Sequence, residues 1–266
     1  GYLILIILEK QFYLMEKMIY KRIFQEEALK LSDAQNYCLF IDTSVSGYVK
    51  FTLYDPKVMN ELINLERIPS FDKIKSMFKF KFYDSILAVI NISTGKDNPG
   101  VKVPKMAYTI QSTAAKPNSG AGVLLYDIVI SWVTKKGKGL TPDRQSISNL
   151  AQKVWKYYFT KRTDVEHVPV DDFHNPVTKN KNDDGELYTG DNIPDEDTGY
   201  ENRNFANHIY MMKKPLDYNK LLKNHNSFFK TLIKNLGLKK DNVEKLKYET
   251  YLISNMFFKH QYQRAS

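Results

Sequence analysis

The stretch KMAYTIQSTAAKPNSGAGVLLYDIVIS, residues 105–131, decides how this chain folds. Its first part, 106–113, is β-prone, the loop after it ends Ser119-Gly120-Ala121-Gly122, and an amphipathic helix is expected from about Val123. A strand, a glycine loop and a helix N-terminus in that order gather several main-chain N–H groups in one place. Glycine lets a ligand approach the backbone closely, and the first helical turn offers unpaired donors at the positive end of a dipole. From spacing alone the loop reads either as an anion-binding cradle or as an ordinary turn, since Gly-Ala-Gly is neither the G-x-G-x-x-G fingerprint nor a Walker loop. In the first case phosphates would rest on the amides of Gly120, Ala121, Gly122 and Val123, with Lys116 close by in sequence.

Upstream, residues 20–31 have helical spacing and mixed charge, and residues 47–54 alternate as a strand does. Asp55-Pro56 is expected to cap and open a short helix running to about Leu65. Residues 77–83 (MFKFKFY) alternate through Lys79 and Lys81 and predict a strand with one solvated face; 86–92 (ILAVINI) predict a central strand, and 94–99 a turn. Three or four strands thus form an antiparallel meander feeding the helix of the opening stretch. In that helix Leu125, Ile128, Val129, Trp132 and Val133 make one apolar stripe.

Downstream, Lys135–Gly139 ends the helix and a short strand is expected at Gly139–Leu140. Thr141-Pro142-Asp143-Arg144 predicts the start of a second helix, with a stripe through Ile147, Leu150, Ala151, Val154, Trp155 and Tyr158. Residues 165–170 read as a strand, 171–204 as irregular and 205–212 as a closing strand. Two terminal helices follow at about 218–236 and 242–259, the second with Asp241 and Glu244 placed as in a capping box.

A chain of 266 residues with 42% hydrophobic content suits one large domain, or a domain with an appendage, and needs no disulfide or metal staple. Cys38 is the only cysteine, which excludes internal disulfides and multi-thiolate zinc sites and points to a reducing, cytoplasmic setting. The opening apolar run, broken at Glu9 and Lys10, is far short of the roughly twenty residues that span a bilayer and lacks the flanks of a signal peptide. With Met15 and Met18 following, residues 1–19 read as an extension: upstream translation, a poorly packed tail or a hydrophobic interaction strand. The net charge of +9 is uneven, with eleven acids against two lysines over 164–200 and thirteen Lys/Arg against five acids over 201–266. A solvated acidic loop beside basic helices explains this, and nucleic acid or an acidic partner is the competing explanation.

The order of strand meander, glycine loop, helix, strand, helix and strand resembles the GNAT family of N-acetyltransferases. Residues 117–122 (PNSGAG) match the two small positions of that family's Gln/Arg-x-x-Gly-x-Gly/Ala loop and depart at the first, where Pro117 stands beside Lys116. Residues 120–165 are similar to acetyltransferase-like proteins of tailed bacteriophages at Gly120, Gly122, Leu125, Tyr126, Asp127, Pro142, Asp143, Arg144, Ala151, Val154, Trp155, Tyr158, Asp164 and Val165.

The resemblance implies an α/β fold with a GNAT-like mixed, mostly antiparallel central sheet flanked by helices. It implies an extension (1–19), an acetyltransferase-like domain (20–214) with an acidic insertion (171–204), and a basic C-terminal helical appendage (215–266). Acetyl-CoA would be the cofactor, its diphosphate on the glycine loop, its pantetheine paired with main-chain groups of Tyr108, Thr109 and Ile110, and Lys116 supplying the charge of the missing arginine. An amine on a protein or small molecule would be the acceptor in an infected cell. The family's usual strand carboxylate is absent from 106–113. Tyr158 is the candidate proton donor to the departing thiolate, with core packing as the competing role on its apolar stripe. Two alternatives stay open: a non-catalytic interaction or virion-associated protein of the same fold with a phage or host partner, and a nucleic-acid binder acting through the basic terminal helices.

Two weaker patterns are present. Asn180-x-Asn182-x-Asp184-Gly185 with Asp191 imitates a calcium loop, though Asn opens it and no flanking helices are expected. Asp172 and His174 with His167 contain metal-ligand types, but in an acidic loop such residues are ordinarily solvated. No metal site is expected.

Overall fold

The computed structural model describes residues 29–95, 102–175, 178–188 and 205–265. The expected extension, most of the helix at 20–31, most of the 94–99 turn and Asp191 lie outside the described residues. Seven strands form one sheet: β1 (Cys38–Asp42), β2 (Tyr48–Tyr54), β3 (Ile86–Ser93), β4 (Ala107–Ala115), β5 (Gly139–Thr141), β6 (Val165–Pro169) and β9 (His208–Met212), in the order β1-β2-β3-β4-β5-β9-β6. Only the β4–β5 pairing is parallel; β7 (Asp171–Asp172) and β8 (Asp184–Gly185) form a separate two-strand parallel pair. No helix among the described residues is long and apolar enough to cross a membrane.

The helices are α1 (Asn60–Ile63), α2 (Phe71–Ser85), α3 (Ala121–Thr134), α4 (Asn149–Lys161), α5 (Asn219–Asn235) and α6 (Lys240–Ala265). A single 3-10 turn, Pro56–Met59, precedes α1, and Asp55 caps it by accepting from the Lys57 N–H as the Asp-Pro signal predicts. Because β3 is central, both its faces are covered, and its unbroken apolar run follows from that. Ala88, Ile90 and Ile92 meet Leu124, Leu125 and Ile128 of α3 in one core, while Ile86 and Val89 face a second core with α2, α5 and α6.

Residues 77–83 are helical, not a strand. The run satisfies both periods, since Ile74, Phe78 and Phe82 recur every four residues and lie buried in the second core. Phe80, which strand alternation would bury beside them, is 66% exposed. Phe80→Ser should therefore change stability by less than about 0.5 kcal/mol, whereas Phe78→Ala should cost about 3–5 kcal/mol in urea unfolding. Equal losses from both would contradict the helix.

The terminal helices are a layer of the fold rather than an appendage. Phe228, Phe229 and Leu232 of α5 and Leu246, Ile253 and Phe257 of α6 complete the second core, and Leu221 of α5 belongs to the first, so α5 wraps the β1 edge. Even polar residues of β2 are covered there: the Thr52 and Ser254 hydroxyls share a 3.1 Å hydrogen bond, and Lys50 lies over the Tyr251 ring. On α2, Lys75 and Lys79 approach the buried Glu249 of α6 to 2.9 and 3.1 Å. Helix α6 begins at Lys240, and Glu244 pairs with Lys247 at 2.9 Å instead of closing a capping box.

Two further boundaries differ from expectation. Helix α4 starts at Asn149 with Ser148 as N-cap, leaving 142–148 as a loop, and Leu150 is 64% exposed rather than on the buried stripe. Pro142-Asp143 makes a turn in which Asp143 Oδ1 accepts from the N–H of Gln145 (2.7 Å) and Ser146 (3.0 Å). Residues Phe205–Asn207 form a 3-10 turn before β9.

Candidate functional site

The site arises where two parallel strands part. β4 and β5 pair only through Ala107–Gly139, Tyr108–Leu140 and Thr109–Thr141. Beyond Thr141 the chain turns away at Pro142, whose carbonyl accepts from Thr109 Oγ1 at 3.0 Å and from Arg144 Nε at 3.1 Å. β4 runs on to Ala115 with a strand partner, β3, on one side only. A register shift opposite Asn91 and Ile92 places Gln111 as an extra residue, a bulge that bends the strand as it leaves β5.

The gap between this edge of β4 and the 142–148 loop with the first turns of α4 is a cleft of two adjoining cavities, about 380 and 270 Å³, which share Thr113, Tyr126, Ser148 and Ala151. The glycine turn closes one end. Asn118 (φ 55°) and Gly120 (φ 64°) are both left-handed, a geometry asparagine tolerates and glycine adopts freely. This double reversal points the start of α3 at the cleft. Among the described residues the N–H groups of Gly120, Gly122 and Val123 have no hydrogen-bond partner, while that of Ala121 is held by Ser119 Oγ at 3.3 Å.

Tyr126 sits one turn beyond Gly122, on the same side of α3. Its ring packs edge-on against Trp155 with centroids 5.5 Å apart, and it lines both cavities. Its hydroxyl is buried without a hydrogen-bond partner, and the nearby Thr113 only partly offsets the rise in pKa that burial causes. Burial pushes its pKa up to about 12, so the phenol keeps its proton. An orphaned buried hydroxyl is costly unless something arrives to bond it.

The residues expected from sequence divide. Gly120, Gly122, Val123, Ile110 and Lys116 line the cleft. The Lys116 ammonium, however, donates to the Asp84 carbonyl at 2.9 Å. Tyr108 and Thr109 lie within the β4–β5 pairing, so the open edge begins at Ile110 and runs through Gln111, Ser112 and Thr113 rather than over 108–110. The length of β5 sets that shift.

Tyr158 does not reach the cleft. It is fully buried, its hydroxyl donates to Asp127 Oδ1, and Arg162 binds the same Asp127 oxygen at 2.8 Å while also pairing with Asp164. Burial raises the Asp127 carboxyl, and Arg162 and Tyr158 oppose that rise. This cluster fastens the end of α4 to α3. Tyr126 was the signal to follow instead, four residues after the second glycine.

A larger cavity, about 870 Å³, lies between β1, α5 and α6 and is lined mainly by Phe40, Phe229, Ile233, Tyr248 and Tyr251. Beside it Lys50, its pKa pushed down to about 8 by burial, donates to Asn255. No family model, no curated protein and no solved structure matches this chain.

Proposed function

We propose that the cleft takes acetyl-CoA, its diphosphate on the amides of Gly120, Gly122 and Val123 and its pantetheine arm along Ile110–Thr113, and that the chain is an N-acyltransferase of the GNAT type. One observation carries this reading: a parallel strand pair forks beside a helix N-terminus with unspent amides, and the cleft is lined by a tyrosine whose buried hydroxyl has no partner. A long ligand with an anionic end and amide groups along its arm suits such a cleft.

Acyl transfer forms a C–N bond to the acceptor amine and breaks the thioester C–S bond; one proton leaves nitrogen and one reaches sulfur. Asp143 is the one carboxylate lining the cleft among the described residues, and we assign it to receive the amine's proton through water. Tyr126 anchors the ligand's arm through its hydroxyl. The acceptor is an amine on a protein or small molecule, and the resemblance of residues 120–165 to phage proteins is what supports an infected cell as the setting.

Isothermal titration should show saturable acetyl-CoA binding to the wild type. Tyr126→Phe should weaken it about five- to thirty-fold, the worth of one buried hydrogen bond, without lowering the thermal unfolding midpoint, because the hydroxyl has no partner in the free protein. Absence of saturable heat in the wild type would sink the assignment.

A second reading, a ligand-binding but non-catalytic protein of the same architecture, is favoured by the lack of a carboxylate on β4 and by the commitment of Tyr158 to Asp127. Acetyl-CoA binding without acyl transfer to any of a panel of amines, together with the protein's presence in mature particles, would select it. For nucleic-acid binding by the terminal helices the support is narrower, because Phe228, Phe229 and Phe257 pack in the core while, among the described residues, Tyr248 is the large aromatic ring of these helices that stays exposed.

A further inference from the structure

The excursion between β6 and β9 contains three carboxylates that sequence alone does not bring together. Asp171 opens β7 and Asp184 opens β8, and the parallel pairing sets them side by side. Asp183 joins them, its carbonyl accepting from the Asp171 N–H at 3.3 Å. One oxygen from each of the three lies within 4.8 Å of the others.

Two of the three are buried, Asp171 at 3% and Asp183 at 5% exposed, and Asp184 is half-buried. Asp171 Oδ2 takes two bonds from Thr178, from its N–H at 2.9 Å and its hydroxyl at 2.5 Å. Asp183 Oδ1 and Asp184 Oδ1, by contrast, are buried with no hydrogen-bond partner. The nearby cation is Lys181, an exposed side chain whose ammonium stands 3.6 Å from Asp184 Oδ2. Three like charges gathered so closely, two of them buried and two with orphaned oxygens, are unfavourable without a compensating ion among them.

We propose that Asp171, Asp183 and Asp184 bind a calcium ion. The three ligands are all carboxylates, with neither histidine nor cysteine in the cluster, which selects a hard cation over zinc or copper. Calcium–oxygen bonds of about 2.3–2.6 Å let two ligand oxygens stand up to about 5 Å apart, so the trio fits around one ion. Magnesium needs a tighter octahedron and gives up its waters reluctantly. Of the Asn180-x-Asn182-x-Asp184-Gly185 pattern only Asp184 belongs to this cluster; Asp171 and Asp183 are not among its specified positions.

The ion has a clear mechanical role. The excursion is tied to the lead into β4 by Met106 N–H to the Asn182 carbonyl (2.9 Å) and Glu186 N–H to the Lys102 carbonyl (2.8 Å). It also holds the cleft wall, since Arg144 donates to the Glu186 carbonyl and Ile147 N–H to the Tyr188 hydroxyl. Calcium would lock these links together. The site does not depend on what the cleft binds.

The test uses the full chain, freed of metal with chelator, in thermal unfolding and titration calorimetry with calcium chloride, magnesium chloride and sodium chloride at matched ionic strength. Expected are one saturable calcium site and a midpoint raised by about 5–10 °C at a hundredfold excess over Kd, with a smaller magnesium shift. Asp183→Asn should abolish the calcium shift yet melt at or above the wild type in chelator, since it removes a buried repulsion. Should that variant lose its native circular dichroism, Asp184→Asn takes its place with the same expectation. No saturable heat and no shift at about 10 mM calcium, beyond the weakest class of such sites, would overturn the proposal. A shift kept in the variant, or one matched by magnesium or sodium, would overturn it equally.

Discussion

Gly122→Glu is expected to lower acetyl-CoA affinity by at least about a hundredfold while leaving the protein folded. A Cβ at this position stands 3.2 Å from Ala115 Cβ, so the new side chain must leave the narrow seam between α3 and β4 and occupy the cleft. There its carboxylate faces the space assigned to the diphosphate. At about 5 Å and an effective dielectric of 20, repulsion between unit charges is about 3 kcal/mol, which corresponds to a factor of roughly a hundred. The same carboxylate in the first turn of α3 favours the helix, so the unfolding midpoint should hold. Calorimetric titration beside a thermal melt separates the two effects, and wild-type affinity in a folded Glu variant would remove the phosphate cradle from consideration.

Arg144→Met should be the most destabilising change in the cleft wall, by about 3–5 kcal/mol, or a fall of about 10 °C in the unfolding midpoint. Arg144 is 3% exposed and its guanidinium donates to the carbonyls of Pro142, Glu186 and Ala206 and to Asn207 Oδ1. Burial pushes its pKa down to about 10, a measure of how thoroughly it has left water. Methionine fills much of the volume but leaves those oxygens facing an apolar chain. Arg144→Lys should recover only part of the loss, because one ammonium cannot reproduce a planar fork of donors. Urea unfolding of the three proteins measures this; a loss below about 1 kcal/mol for Met would mean that the loop is held by something else.

The strand-to-helix passage of 105–131 was legible because glycine, an apolar stripe and β-prone residues each signalled one element. What misled was local ambiguity. MFKFKFY satisfies periods of two and of nearly four, and only the contacts of Phe78 and Phe82 with α5 and α6 decide between them. Pro142-Asp143-Arg144 looks like a helix start because an Asp that caps a turn and an Asp that caps a helix use the same bonds. The amides at Gly120–Val123 could be read from sequence; the fork beside them could not, since it depends on β5 stopping after three residues. Tyr158 drew attention for its position on a stripe, yet that stripe is what buries it. Asp171 and Asp183, twelve positions apart, become neighbours only through a two-residue pairing that no periodicity announces.

The two-sided covering of the sheet has a consequence for how the chain is made. Cys38, Tyr54, Ile86 and Val89 belong to strands synthesised early, yet their burial waits for Leu246, Ile253 and Phe257. A nascent chain therefore carries one face of its sheet uncovered through some two hundred residues of translation, a sticky surface that folding chaperones recognise. Closure of that face awaits emergence of α6 from the ribosome, which makes that helix the step that commits the sheet.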